Sequence, residues 1–154
     1  MRGKGAETLD DIALRRYRKK TIAERVWMPQ TEVLFYRESE GDVPVLDWLC
    51  ELERQNRRAA NKCQAAIERL AEQGHELRRP EADLLRDGVY ELRARVGRVN
   101  YRVLYFFHGR GVAILAHGLT KEKAVPKADI ERAIQRKQRF EADPEAHTHK
   151  EQSS

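Results

Sequence analysis

Val89-Tyr90-Glu91-Leu92-Arg93-Ala94-Arg95-Val96, then Gly97-Arg98, then Val99-Asn100-Tyr101-Arg102-Val103-Leu104-Tyr105-Phe106-Phe107, spells a β-hairpin, and the fold is read outward from it. In the first half the apolar period is two. Tyr90, Leu92, Ala94 and Val96 point one way and Glu91, Arg93 and Arg95 the other, which predicts a half-buried strand with a basic outer face. Gly97-Arg98 is a tight connection. The second half is dense in aromatic and β-branched residues and predicts a central strand. Its lone Arg102, between Tyr101 and Val103, must reach solvent or find a partner.

Toward the C-terminus, His108-Gly109-Arg110-Gly111 predicts a turn and Val112 to Ala116 a third strand that Gly118 ends. Lys121, Glu122 and Lys123 then lie in a loop before Pro126, and Asp129 caps a last amphipathic helix carrying Ile130, Ala133 and Ile134. Toward the N-terminus, Val33-Leu34-Phe35-Tyr36 predicts a strand closed by the polar turn Glu38 to Asp42. A helix follows with Asp42 as N-cap, Pro44 in its first turn, and Val45, Leu49 and Leu52 at helical spacing. Beyond the polar stretch from Arg54 to Arg58, the stripe resumes at Ala60, Cys63, Ile67 and Leu70 as far as Gly74. That pattern fits a helical hairpin or one long bent helix. The expected class is α+β: a small, mostly antiparallel sheet with helices on one side, the other side left available, and a helix at the C-terminal end.

With 154 residues the chain is one domain's worth, and its 36% charged and 40% hydrophobic residues exclude a disordered polymer. The longest apolar runs are strand-sized, which excludes a helical membrane protein; no apolar segment follows Arg2 and Lys4, so a cytoplasmic protein is expected. Cys50 and Cys63 lack CxxC spacing and the five histidines form no ligand motif, so buried thiols are expected and neither a metal nor a cofactor.

The net charge of +5 is unevenly spread. Residues 1–30 carry +4, residues 31–85 carry −4, residues 86–123 carry +5, and the remainder is neutral. The leader, with Arg15-Arg16-Tyr17-Arg18-Lys19-Lys20, reads as a solvated tail or a nucleic-acid-binding arm. The second basic block holds the candidate site: Arg93, Arg95 and Arg102 on neighbouring strands, then Lys121 and Lys123. Strands about 5 Å apart let such side chains converge on one phosphate, which arginine grips with two parallel hydrogen bonds. Arg98 in the turn, with Tyr90 and Tyr101 as stacking aromatics, could contact nucleic acid beside them. His117 and His108 lie near strand ends as candidate acids or bases, and Glu91 reads either as a base or as a structural partner of the arginines.

The runs Asp87 to Arg95, Asn100 to Phe107 and His117 to Lys123, with Val45 to Leu49 and Ala66 to Leu70, resemble the RelE/ParE toxin superfamily of bacterial type II toxin–antitoxin systems. Within it, the phage-derived HigB-like branch is the more similar. The resemblance runs from about Met28 through the last helix, and implies a compact RelE-like fold. It also implies a metal-independent endoribonuclease that cuts mRNA on the ribosome and arrests translation, held in check by a cognate antitoxin, expected to be of helix-turn-helix type. By that resemblance Arg102 is the phosphate-contacting arginine, Arg93 the basic residue on the preceding strand with Arg95 beside it, and Lys121 or Lys123 the basic residue after the last strand. Glu91 stands where RelE has a lysine, and no tyrosine follows Lys123, so acid and base stay unassigned with His117 as a candidate. The alternatives are a ParE-like inhibitor of DNA gyrase without nuclease chemistry, and an inactive homologue that binds only antitoxin or nucleic acid. The domain is expected to span residues 31–143, with residues 144–154 a frayed tail. The leader, residues 1–30, is then either flexible or ahead of a true start at Met28.

Overall fold

A computed structural model describes residues 30–121 and 124–150; the basic leader lies outside them. The chain is α+β. Strand β1 (Glu32–Phe35) is followed by helices α1 (Pro44–Gln55) and α2 (Arg57–Gln73) and a 3₁₀ turn (Gly74–Glu76). Then come β2 (Ala82–Arg86), β3 (Val89–Val96), β4 (Val99–His108), β5 (Val112–Lys121) and helix α3 (Lys127–Ala142). The five strands form one sheet in the order β1-β5-β4-β3-β2, antiparallel throughout except for the parallel β1–β5 pair. The expected hairpin is in place, and β4 is central, buried over six consecutive residues because both its neighbours and both its faces are covered.

Several local expectations are corrected. The N-cap of α1 is Val43 and not Asp42, whose backbone carbonyl instead takes the Glu38 N–H at 2.7 Å in the preceding turn. Of the two readings of the stripe from Val45 to Leu70, two helices is the one found, and the break comes where the Asn56 side chain accepts from Ala59 N–H at 3.1 Å and caps α2. The short edge strand β2 carries no sequence signal: Ala82-Asp83-Leu84-Leu85-Arg86 has neither alternation nor β-branched residues. Gly118 does not end β5. It lies within it, because the indole of Trp48 on α1 sits over its Cα: an added Cβ would come 2.5 Å from Cδ2 and 2.6 Å from Cε3.

The sheet is covered on both faces, so the expected open side is not open. On one face α1 and α2 bury Val45, Leu46, Leu49, Ala60, Cys63, Ile67 and Leu70 against Phe35, Leu92, Val103, Tyr105 and Leu115. On the other, Ala133 and Phe140 of α3 pack on Val89, Leu104, Phe106, Ile114 and Leu119. Residues 144–150, expected to fray, return to the sheet. Thr148 bridges Tyr36 antiparallel, Arg37 N–H donates to the His147 carbonyl at 2.9 Å, His149 N–H donates to the Phe35 carbonyl at 2.9 Å, and the His147 ring stacks on Tyr36.

Candidate functional site

Directly paired residues of adjacent strands share a face, so the register arranges the face under α3 in rows. The outermost row is Arg95–Asn100–Lys121, the next Arg93–Arg102–Leu119, the third Glu91–Leu104–His117, and the innermost Val89–Phe106–Ile114. The innermost row, with Leu104 and Leu119, is the apolar seat of α3; the other row positions are polar. Arg93 and Arg102 are therefore brought together as the alternation required, with Arg95 and the Lys121 backbone position one row further out. Lys123 lies outside the described residues.

Arg93 and Arg102 face each other directly, an arrangement that like charges disfavour. Glu91 resolves it. Its side chain is only 5% exposed and its carboxylate is divided: Oε1 accepts from Arg93 Nε at 2.5 Å and also pairs with Nη2, while Oε2 pairs with Arg102 Nε at 3.1 Å. Toward the sheet edge, Arg93 Nη2 lies 3.4 Å from Asp83 Oδ2, its Nη1 donates to the Pro80 carbonyl at 3.4 Å, and Arg79 Nη2 meets Asp83 at 2.9 Å. The Arg79 guanidinium holds the Asp83 carboxyl below its usual range. Charges thus alternate across β2, β3 and β4: Arg79, Asp83, Arg93, Glu91, Arg102. The Arg102 side chain, at the buried end, is 9% exposed. Arg102 has the partner its lone place in an apolar strand demanded.

The other expected residues are scattered. Arg95 is exposed, its Nε donating to the Gly97 carbonyl at 2.9 Å, and Arg98 is exposed in the turn. Tyr101 is buried on the opposite face, in the α1–α2 core. Tyr90 lies on that face too, stacked on Tyr105 at 5.4 Å and edge-on to Phe107, so neither tyrosine stands beside the arginines. His108 meets Phe140 edge-on. His117 shares the arginine face, but both its ring nitrogens are taken. Arg136 Nη1 donates to Nδ1 at 3.2 Å, which places the ring proton on Nε2, 2.7 Å from Asp129 Oδ1. Burial holds the His117 pKa below its usual range against the pull of Asp129.

Asp129, expected as the cap of α3, is this histidine's partner; the helix is capped at Pro126. Arg136 also takes the Ala116 carbonyl at 2.7 Å, where a β-bulge between Leu104 and Tyr105 leaves Ala116 as the extra residue of β5. Through Nε it reaches Glu38 at 3.2 Å. Asp83, Arg79 and Arg136 escaped the sequence reading, and Asp129 reads there only as a cap. Only Arg136 left a trace, two helical turns from Asp129 on the same face of α3. Among the described residues no group of three or more His, Cys, Asp or Glu is placed to hold a metal ion.

This arrangement, guanidinium groups held by the buried Glu91 and the half-buried Asp83 at the rim of a packed sheet, is suited to holding an anion through charge-assisted hydrogen bonds. The model of the phage-derived Gp49-like protein family (DUF891) matches residues 47–138, from the first turn of α1 through most of α3 and including every row of the site. The chain belongs to that family. Gp49-like proteins are a family of RelE-like toxins, in keeping with the fold. No curated protein matches the chain significantly. No helix among the described residues is long and apolar enough to cross a membrane.

Proposed function

We propose that this Gp49-like protein is the toxin of a type II toxin–antitoxin pair and acts as a metal-independent, ribosome-dependent mRNA endonuclease of the HigB-like kind. The observation that carries the reading is the cross-strand pair Arg93–Arg102 with Arg95 and Lys121 in the adjoining row, a cationic rim inside a family of RelE-like toxins. In the reaction the RNA 2′-hydroxyl loses its proton and forms a bond to the adjacent phosphorus as the bond to the 5′ oxygen breaks and that oxygen takes up a proton. The products are a 2′,3′-cyclic phosphate and a 5′-hydroxyl. Charge gathers on the non-bridging oxygens, where fixed guanidinium groups stabilise it without reorganising. Arg102 contacts the phosphate in this reading, Arg93 braces it, and Arg95, Arg98, Lys121 and Lys123 steer the backbone. His117, with both nitrogens engaged, supports α3 and does not move the proton.

The test is to map RNA 5′ ends shortly after induction, comparing the wild type with Arg102→Lys, which keeps a cation against Glu91. Discrete cuts within translated mRNA, lost in Arg102→Lys at equal protein level, are expected, as is recovery of growth when a neighbouring helix-turn-helix gene is co-expressed. Intact transcripts during growth arrest overturn the reading, and DNA-damage signalling beside them selects gyrase inhibition instead. Absence of any toxicity selects the inactive homologue.

A further inference from the structure

A buried carboxylate in the middle of a phosphate-binding rim is costly and works against anion binding, so it needs a reason to be there. Glu91 is 3% exposed, lies in β3 between Val89 and Arg93 on the α3 face, and gives one oxygen to each of two guanidinium groups. Arg93 is engaged at all three nitrogens, by Glu91, Asp83 and the Pro80 carbonyl, and is thereby built into the sheet as a strut. Arg102 meets that strut by charge, its Nε 3.1 Å from Glu91 Oε2. A carboxylate can span two arginines in this way because it has two equivalent acceptor oxygens; an amide has one, and its NH₂ end would abut the donors of the second guanidinium.

We propose that Glu91 is the positioning residue of the site. It holds the Arg102 guanidinium in register by charge, Oε2 lying 3.1 Å from Nε, so that the place and orientation of the phosphate-contacting group are set before RNA arrives. This rests on the phosphate role of Arg102 proposed above. A device of this kind has a kinetic signature that a merely structural one lacks. Removing the carboxylate charge makes the rim more cationic and strengthens RNA binding, while the loss of orientation lowers the rate of cleavage.

The experiment measures cleavage of a short mRNA on programmed ribosomes for the wild type, Glu91→Gln, Arg102→Lys and the double variant, with thermal melts of each. The expected result for Glu91→Gln is a fall in kcat of at least about tenfold with KM unchanged or lower, and no further fall when Arg102 is already lysine, since both changes act through one guanidinium. A rise in KM, an unchanged kcat, or a fall of the same factor in the Arg102→Lys background overturns the proposal. Glu91→Asp, which keeps the charge but is too short to span both arginines, serves if Glu91→Gln does not fold; failure of both to fold makes the carboxylate purely structural and overturns it too. A wild type that cuts nothing on the ribosome refutes the endonuclease reading and this inference with it. A wild type that cuts while Glu91→Gln cuts equally well refutes this inference alone.

Discussion

Gly118→Ala is the substitution whose cost the structure sets most directly. The new methyl carbon would stand 2.5, 2.6 and 2.9 Å from Cδ2, Cε3 and Cγ of Trp48, the fused middle of the indole and not its flexible far end. Relief therefore requires a shift of the whole ring, and with it α1, away from β5. Overpacking of this severity costs typically about 1–3 kcal/mol. With all three contacts below 3 Å the upper part of that range applies, about 2–3 kcal/mol, and the restricted unfolded chain returns about 0.4–1 kcal/mol, so the net loss is about 1–2.6 kcal/mol. For a domain of this size that lowers Tm by about 3–8 °C. Urea and thermal unfolding of Gly118→Ala, Trp48→Leu and the double variant measure it. Because Leu has no ring at that position, the alanine should cost little in the Trp48→Leu background, giving a coupling energy of about 1 kcal/mol or more. Stability of Gly118→Ala within about 0.5 kcal/mol of the wild type, or strict additivity in the double variant, would refute the assignment of Gly118 to close packing.

Arg102→Ala leaves Glu91 Oε2 without its guanidinium while Oε1 keeps Arg93, and should destabilise by about 1–3 kcal/mol, whereas Glu91→Leu with Arg102→Met should cost less; urea unfolding compares them. His117, held below its ordinary pKa of about 6.5 by burial, favours the neutral ring in the folded state. Its contribution is complete above that value and is lost as pH falls through the lower folded pKa, so the wild type should lose more Tm between pH 7.5 and 5.5 than His117→Gln does. Burial pushes the Cys63 thiol up to about 12, so a thiol reagent at pH 8 should leave Cys63 unmodified until denaturant is added. Deleting the chain after Asp143 uncovers Tyr36 and the β1 edge and should lower stability by about 1–3 kcal/mol in the same unfolding assay.

What the sequence made legible follows its periodicities. The period of two from Val89 to Val96, and the apolar density from Val99 to Phe107, placed two neighbouring strands and their arginines because each signal is local to its own strand. Tyr90 and Tyr101 went astray because alternation puts them on the face opposite Arg93 and Arg102, where α1 and α2 lie. Elements of other kinds were invisible. Strand β2 is an edge piece whose identity comes from pairing, and the bulge at Ala116 displays no residue type of its own. Asp129 looks like a helix cap from its neighbours and becomes a histidine partner only when β5 passes beside α3. Glu91 was legible as a partner of Arg93, but its second oxygen, on Arg102 across the hairpin, belongs to the register and not to the strand.

The parallel pairing of β1 with β5 has a consequence in time. Among the described residues β1 is the first strand made, yet Glu32 pairs with Val112, roughly eighty residues further along, so the sheet's edge must wait for a distant segment. At translation speeds of about 5–20 residues per second the interval is several seconds, during which α1 and α2 have no completed sheet to rest on. Arg93 and Arg102 emerge before β5 and α3, the elements that close over their face. The finished arrangement of these charges therefore cannot exist on a half-made chain, and the ribosome synthesising this protein has moved past most of the message before the molecule it makes is whole.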